Sequence, residues 1–295
     1  MSNIDLPYLA GCVISNDGTS IAYRKFGEGP ALVLLHGSLS ASQHLMELGR
    51  SLARDYTVYI VDRRGRGQSP PFGSGYCLDR EVEDLTALLF KSRARLAFGA
   101  GTGALIVLKA LLSYSGVRKA ALYEPPLDVD GSLLEQLAPV MRRYDREMAR
   151  GHLAEALTTV LTGAGMLPDT FVSKLPRFVL TRSFRQAMEE EREAALGTDA
   201  ALESLIPTQS YDYKLMIECK GSLESFRMVP AEVLLLGGSH SPLQFKKSLA
   251  ALEGVIPHAL REELKGMGHT GPTGGEEQSE RIAEELKKFF GTRML

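Results

Sequence analysis

Glycines gather where apolar runs of the sequence end, and a chemical site is expected at such places. Gly99, Gly101 and Gly103 follow one apolar run, and Gly237 and Gly238 follow another. Glycine lets the backbone turn sharply and approach a ligand closely, and folds with alternating strands and helices build their sites at the carboxyl ends of strands. The polar residues of these loops are therefore the first candidates for chemistry.

Histidines accompany several of these glycines. His36 precedes Gly37 after an apolar run, His240 follows Gly237-Gly238, and His269 closes the segment Gly266-Met267-Gly268-His269. Histidine is the side chain that gains and loses a proton most readily near neutral pH, so acid–base chemistry is one expectation.

Composition narrows the class of protein. The 295 residues include 34 Lys and Arg against 36 Asp and Glu, a formal net charge of −2 that does not favour a nucleic-acid partner. Three unpaired cysteines, Cys12, Cys77 and Cys219, predict neither a disulfide framework nor a cysteine metal site. No signal peptide and no apolar run of membrane-spanning length is visible, so we expect a cytoplasmic protein without a membrane partner, a metal or a cofactor.

The elements that must position these loops alternate between strand and helix. An N-terminal hairpin is predicted over 11–15 and 19–26, with its turn at Asn16-Asp17-Gly18. Apolar runs predict buried strands at 31–35, 56–61, 94–98, 119–123 and 232–236, and a further strand with a weaker pattern is predicted at 258–264. Apolar periodicity predicts helices at about 41–54, 79–92 with Asp79 as cap, 104–114, 242–252 and 276–290.

This alternation is interrupted once. Residues 131–228 lack strand signals and contain helical stretches such as 133–150 and 183–196. The predicted fold class is therefore α/β, with a doubly wound, mostly parallel sheet and a helical cap insertion. The core is assigned to residues 1–130 and 229–295, and the cap to 131–228.

Three motifs in this order resemble the α/β-hydrolase family, in particular its capped members with an N-terminal hairpin. Leu35-His36-Gly37-Ser38 resembles the family's oxyanion loop, and Asp62-Arg63-Arg64-Gly65-Arg66-Gly67-Gln68-Ser69 resembles its D-x-R-G-x-G-x-S turn. Gly266-Met267-Gly268-His269 lies where the family places its catalytic histidine. The resemblance covers the chain outside the cap and implies that the backbone N–H groups of Ser38 and Thr102 form an oxyanion hole.

The nucleophile position departs from the family pattern G-x-S-x-G. The corresponding segment is Gly99-Ala100-Gly101-Thr102-Gly103, so Gly101 stands where the resemblance implies a serine. Three interpretations remain open: Thr102 replaces the nucleophile, the chain is a knock-out of a serine enzyme, or the protein does not use an acyl-enzyme. The third interpretation is favoured.

The acid position also departs from the family pattern. Gly237-Gly238-Ser239-His240-Ser241-Pro242 contains no carboxylate, but the loop after the preceding strand offers Glu124, Asp128 and Asp130. Glu124 lies nearest the strand end, where a structural role at the Pro125-Pro126 turn is an alternative. His240 and Ser241 are candidates for substrate binding at the mouth of the same cleft, although His240 can equally be a solvated loop residue.

The remaining motifs have structural interpretations. His36 is expected to pack beneath the oxyanion loop. Arg63, Arg64 and Arg66 resemble a phosphate patch, but the family turn explains them without a phosphate.

Three functions are compatible with these residues. The first is a lyase, cyclase or isomerase of a natural-product pathway, in which His269 and the oxyanion hole act on a small apolar carbonyl compound (an ester, lactone or polyketide-like molecule). The second is a catalytically dead binding protein, and the third is a hydrolase in which His269 activates water. The partner is a small molecule in the first and third, with Phe171-Val172 and Phe178-Val179-Leu180 as part of the substrate lid.

Overall fold

The computed structural model describes residues 7–166, 174–194 and 199–291. Its core is an eight-stranded sheet with the order β1-β2-β4-β3-β5-β6-β7-β8. The strands are β1 (Leu9–Ile14), β2 (Ser20–Phe26), β3 (Ala31–Leu35), β4 (Thr57–Val61), β5 (Leu96–Ala100), β6 (Lys119–Tyr123), β7 (Glu232–Gly238) and β8 (Ala259–Leu264).

The sheet is parallel from β4 to β8, and only the N-terminal hairpin runs against it. β1 and β2 pair with each other, and β2 pairs with β4, in antiparallel register. The turn between the hairpin strands includes Gly18, which has a φ of 85°. All further pairs are parallel, so the strands from β3 onward bring their carboxyl ends to one edge of the sheet.

Helices cover both faces of the sheet. The described helices are α1 (Met46–Leu52), α2 (Leu78–Ser92), α3 (Thr102–Ser113), α4 (Ser132–Met148), α5 (Leu153–Gly163), α6 (Arg177–Ala194), α7 (Leu202–Leu205), α8 (Gln209–Glu218), α9 (Leu243–Val255) and α10 (Glu276–Gly291). Short 3-10 helices at 42–45, 206–208, 223–228 and 271–273 join them.

The side chains of β3 show how the two faces are divided. Val33 and Leu35 pack with α2, α3 and α9 in one core, while Leu32 and Leu34 pack with α1 and α10 in the other. Successive residues of a strand point to opposite faces, so a continuous apolar run is what a sheet covered on both sides requires. The doubly wound α/β prediction is confirmed.

Five helices, α4 to α8, are described between β6 and β7. Residues of α4, α5 and α6 form a core of their own, which includes Met141, Tyr144, Leu157 and Met188. Within the described part of 131–228 there is no strand. The predicted lid segment Phe171-Val172 lies outside the described residues.

Several predicted boundaries are wrong by a few residues. β5 extends to Ala100 instead of ending at 98, and α3 begins at Thr102 instead of 104. The glycines there allow strand and helix to meet at a single residue. Asp79 is not the cap of α2, because the helix begins at Leu78 with Cys77 as its N-cap. Asp79 instead lies in the first turn, where its negative charge is favourable beside the helix N-terminus.

No helix in the described part of the chain is long and apolar enough to cross a membrane.

Gly103 shows how closely α3 approaches β3. A Cβ atom at this position would lie 2.4 Å from the carbonyl oxygen of His36 and 2.6 Å from that of Leu35. We therefore predict that Gly103→Ala lowers the free energy of unfolding by at least about 2 kcal/mol, because overpacking of this kind displaces backbone. Urea denaturation measures the change.

Gly254 provides the control for this substitution. It lies in the helix α9, and a Cβ atom there meets nothing within 4 Å. Gly254→Ala should raise the free energy of unfolding by about 0.5–1 kcal/mol through helix propensity. Equal effects of the two substitutions would contradict the packing assigned to Gly103.

Candidate active site

Gly101 forms the sharp turn between β5 and α3. Its φ of 53° and ψ of −123° are angles that residues with a Cβ atom adopt only under strain. The flanking glycines are required by packing, since a Cβ on Gly99 would lie 2.6 Å from the Gly103 carbonyl oxygen. A Cβ on Gly101 would instead meet nothing closer than 3.7 Å, at Gly37 Cα and at Cε1 and Nε2 of His269.

Glu124 and His269 form a hydrogen-bonded pair beside this turn. Glu124 follows β6, is fully buried, and accepts a 2.8 Å hydrogen bond from His269 Nδ1 through its Oε2. Its Oε1 accepts hydrogen bonds from the Gly238 amide at 2.7 Å and from the Ser241 hydroxyl. Because Nδ1 donates to the carboxylate, Nε2 of the neutral imidazole carries no proton and can act as a base.

The imidazole of His269 is fixed from a second side. It stacks on the ring of Phe245, with centroids 4.2 Å apart and planes inclined by 2°. The carboxylate sets the rotation of the ring and Phe245 sets its plane. Together they direct Nε2 toward the space above Gly101.

Ser38 and Thr102 border the same space. The loop after β3 approaches the turn so closely that a Cβ on Gly37 would lie 2.9 Å from the Ala100 carbonyl oxygen. The hydroxyls of Ser38 and Thr102 are 3.3 Å apart. Thr102 is the first residue of α3, so its amide has no acceptor within the helix and lies at the positive end of the helix dipole. This is the local arrangement that an oxyanion hole needs.

A narrow, mostly apolar cavity extends from Gly101 into the helices α4, α5 and α8. Its own volume, without the open solvent at its mouth, is about 30 Å³. The apolar lining residues are Pro126, Leu133, Leu137, Val140, Met141, Val160, Ala164, Met166, Met216 and Phe245. The polar lining residues are Ser38, Thr102, Gln209, Tyr213, Gln244 and His269.

A buried cluster of charges lies beneath Thr102. Arg63 contacts Glu81 at 2.8 Å and Asp212 of α8 at 3.0 Å, and Arg66 contacts Asp212 at 2.7 Å. All four side chains are at most 2% exposed. The cluster joins the D-x-R-G-x-G-x-S turn to a helix of the predicted cap.

Arg64, the third arginine of this turn, lies apart from the cluster and pairs with Asp84 at 2.6 Å.

Thr102 is held by this cluster through its hydroxyl. Arg63 Nη1 donates to Thr102 Oγ1 at 3.1 Å, and Oγ1 lies 3.1 Å from Asp212 Oδ1. A guanidinium can only donate and a carboxylate can only accept, so the Thr102 proton is directed to Asp212. Burial alone would raise the pKa of Asp212, but the charges of Arg66 and Arg63 outweigh it and hold this pKa below its usual value.

The other candidate residues from the sequence, His240, Ser241, Asp128 and Asp130, do not line the cavity. His240 is exposed and does not line the cavity, while Ser241 is buried behind Glu124. Asp128 accepts a hydrogen bond from the Leu133 amide, and Asp130 pairs with Ser132 and Lys247. Glu124 is therefore the carboxylate that reaches His269.

His36 lies beneath the oxyanion loop. It is fully buried, Nδ1 is 2.9 Å from the Gly37 carbonyl oxygen, and Nε2 accepts a hydrogen bond from the Arg63 amide. Burial lowers the pKa of His36 well below its usual value, so the ring is neutral. No group of three or more His, Cys, Asp or Glu residues within the described ranges could hold a metal ion.

Sequence reasoning missed Phe245, Gln209 and Asp212. Phe245 and Gln209 give no signal in a single sequence, since an aromatic or amide side chain on a helix is ordinary. Asp212 had an indirect signal in the sequence. Arg63 and Arg66 belong to a turn that buries them, and buried guanidinium groups need carboxylates as partners. The pattern does not tell which acidic residue of the insertion supplies the charge.

The Asp212 ion pairs yield a stability prediction. Asp212→Asn leaves Arg63 and Arg66 without this buried negative charge, so the free energy of unfolding should fall by about 3–5 kcal/mol at neutral pH. Urea denaturation measures it. Because the folded-state pKa of Asp212 is lowered, the difference from wild type should persist above pH ~4 and shrink as the pH falls through that folded-state pKa.

An exposed pair serves as the control for this substitution. Glu224 contacts Arg227 at 2.6 Å with both side chains at least 60% exposed, and Glu224→Gln should change the free energy of unfolding by less than about 1 kcal/mol. A similarly small effect of Asp212→Asn would contradict the role of the buried cluster.

Comparison with solved structures agrees with this architecture. An alpha/beta hydrolase from Sphaerobacter thermophilus DSM 20745 superposes with a TM-score of 0.75 at 28% identity, covering 95% of this chain and all of that one. E-2-(acetamidomethylene)succinate hydrolase superposes with a TM-score of 0.66 at 19% identity, covering 97% of this chain and 100% of its own, a likeness of fold alone.

Curated relatives match shorter stretches. The uncharacterized hydrolase YraK of Bacillus subtilis (strain 168) is 33% identical over 95 residues, which is 31% of this chain and 35% of that protein. The non-heme chloroperoxidase of Streptomyces lividans is 31% identical over 140 residues, 46% of this chain and 48% of that protein. The chain thus matches between a third and a half of the length of these relatives.

The sequence model of the alpha/beta hydrolase family matches residues 32–285, which is most of the chain. The order of the strands and the position of the helical insertion are consistent with this match. The chain belongs to the alpha/beta hydrolase family.

Proposed function

We propose that this protein is an enzyme that acts on a small, largely apolar carbonyl compound without a serine nucleophile, as a lyase, cyclase or isomerase of a natural-product pathway. The observation that carries the proposal is the position of His269. Its Nε2 faces open space above Gly101 while Nδ1 is held by the buried carboxylate of Glu124. A histidine oriented this way is equipped to move protons.

The reaction begins with the substrate carbonyl above Gly101. Its oxygen accepts hydrogen bonds from the backbone amides of Ser38 and Thr102, each of which contributes about 3–4 kcal/mol where negative charge develops. His269 Nε2 removes a proton from the carbon beside the carbonyl, and Glu124 stabilises the resulting imidazolium. The enolate then collapses by reprotonation, ring closure or loss of a leaving group, and His269 returns its proton to the product or leaving group.

Thr102 is a poor candidate for a replacement nucleophile. Its hydroxyl proton is directed to Asp212, and the lowered pKa of Asp212 makes that carboxylate a weak base. A hydroxyl becomes a nucleophile only beside a group that can take its proton. Thr102 therefore serves through its backbone amide.

The insertion suits a small apolar substrate. The described part of the insertion acts as its lid, because it supplies ten of the seventeen described residues that line the cavity. Exclusion of water by these side chains strengthens the hydrogen bonds made to the developing negative charge.

A second candidate is hydrolysis by water that His269 activates. It is favoured by the open space above Gly101, where a serine side chain would otherwise lie, within reach of Nε2. A hydrolase of this kind would add water to the carbonyl directly and form no acyl-enzyme. A protein that only binds its ligand would show neither activity.

His269→Ala tests the proposed acid–base role. Exchange of the α-protons of a panel of small methyl ketones with D2O, followed by NMR, should slow by about 10²–10⁴-fold, because the positioned base is lost. Glu124→Gln should slow it less, since the imidazole remains but its orientation and charge stabilisation weaken.

His240→Ala is the matched control for this measurement, because His240 is exposed and lies outside the cavity wall. It should leave the exchange rate within a factor of about two. Exchange that is as fast in His269→Ala as in wild type would refute the proposal, and so would absence of exchange in wild type on every ketone, which would leave the hydrolase and the binding protein as the alternatives.

Gly101→Ser tests whether the hydrolytic machinery is otherwise intact. The added Cβ has room, and its hydroxyl would stand beside His269 Nε2. We expect the variant to hydrolyse p-nitrophenyl acetate with an initial burst and to react covalently with a fluorophosphonate, as an activated serine does. Wild type should show neither behaviour.

Gly101→Ala and the double variant Gly101→Ser, His269→Ala separate this gain from other causes. The first adds the Cβ without a nucleophile and the second adds the nucleophile without a base, so both should remain inactive. Covalent labelling of wild type by the fluorophosphonate would show that another residue is the nucleophile.

A further inference from the structure

Gln209 carries a buried polar group that the protein itself does not satisfy. The residue is the first of α8 and is 6% exposed. Its side-chain oxygen Oε1 is sealed from solvent and has no hydrogen-bond partner among the described residues. Gln209 lines the cavity that contains Gly101 and His269.

An amide oxygen in this state is disfavoured in the ligand-free protein. Buried acceptors in native structures are nearly always hydrogen-bonded, because desolvation without a partner opposes folding. The surrounding wall is apolar, with Leu137, Met141 and Met216 among its residues. The second glutamine of the cavity differs, since Gln244 donates to the Ala164 carbonyl oxygen at 3.2 Å. Among the described residues that line the cavity, Gln209 is the one with a buried polar atom that lacks a partner.

Gln209 lies on the same helix face as other cavity residues, a short distance from the end of the cavity at Thr102. Gln209, Tyr213 and Met216 follow the spacing of one helix face, and all three line the cavity. Asp212, three residues or about 4.5 Å further along α8, contacts Thr102 Oγ1. Gln209 thus stands roughly one helical turn from the level of Thr102, within the span of a small molecule.

We propose that Gln209 determines specificity by accepting a hydrogen bond from a hydroxyl or N–H group of the substrate, at a distance from the carbonyl that reacts above Gly101. The substrate class is an uncharged, largely apolar carbonyl compound that bears one hydrogen-bond donor. This inference rests on the proposed function for the place of the carbonyl.

The lining of the cavity explains why the second group is uncharged. Among the described lining residues there is no Asp, Glu, Lys or Arg. An ionised group buried against this wall would lack an opposite charge, whereas a hydroxyl needs only the acceptor that Gln209 offers.

Binding of matched ligand pairs tests the proposal. The probes are butyl methyl ketone and benzylacetone, each compared with its analogue carrying a terminal or para hydroxyl, and the measurement is Kd by ligand-observed NMR. Wild type should bind at least one hydroxylated analogue about tenfold more tightly than its parent, as expected when a buried acceptor gains its partner. Gln209→Met, similar in length but apolar, should lose this preference.

Thermal unfolding without ligand distinguishes recognition from a structural role. Gln209→Met should leave Tm unchanged or higher, because no hydrogen bond of the folded protein is lost. Gln244→Met should lower Tm, because its bond to Ala164 is lost, and should keep the preference for the hydroxylated ligand. Equal preference in wild type and Gln209→Met, or a Tm of Gln209→Met as low as that of Gln244→Met, would overturn the proposal.

The test is independent of turnover. His269→Ala should retain the preference for the hydroxylated ligand, since Gln209 is unchanged. A protein with this preference but no His269-dependent proton exchange would refute the proposed function and leave the role of Gln209 standing.

Discussion

The hydrogen bond between Glu124 and His269 is the interaction on which the site depends. It joins the end of β6 to the loop after β8, and the Gly238 amide at the end of β7 holds the same carboxylate. Parallel strands bring their carboxyl ends to one edge, so three distant segments of the chain meet there. A fully buried carboxylate with three hydrogen bonds is a fixed support, and the orientation of the imidazole follows from it.

The glycines at the carboxyl ends of the strands serve two different purposes. Gly99 and Gly103 are required because backbone passes within 2.4–2.6 Å of where their Cβ atoms would be. Gly101 has open space above it, and the base that would activate a side chain there faces this space. The backbone amides that we propose as the oxyanion hole come from the loop and the helix, so they do not depend on the residue at position 101. This is why we propose that chemistry continues without a nucleophile.

The sequence predicts the parts of this structure that rest on local patterns. The continuous apolar runs of β3 and β6 give the parallel sheet, and the apolar periodicity of 276–290 gives the helix α10. The prediction that Asp79 caps α2 is wrong, because the residue at which a helix begins depends on the backbone angles of single residues. Asp212 and Gln209 could not be predicted, since their roles arise from the packing of a helix onto loops more than 100 residues away in the chain. Glu124 could be predicted in part. The sequence offers three acidic candidates in this loop, and the hydrogen bond to His269 in the structure identifies Glu124 as the partner.

The most direct test of the proposed mechanism is the crystal structure of the protein with a small trifluoromethyl ketone, which exists in water largely as its hydrate. We predict a non-covalent hydrate above Gly101, with one oxygen on His269 Nε2 and the other on the amides of Ser38 and Thr102. A hemiketal bond to the hydroxyl of Thr102 or Ser38, or a ligand bound away from Gly101 and His269, would contradict it.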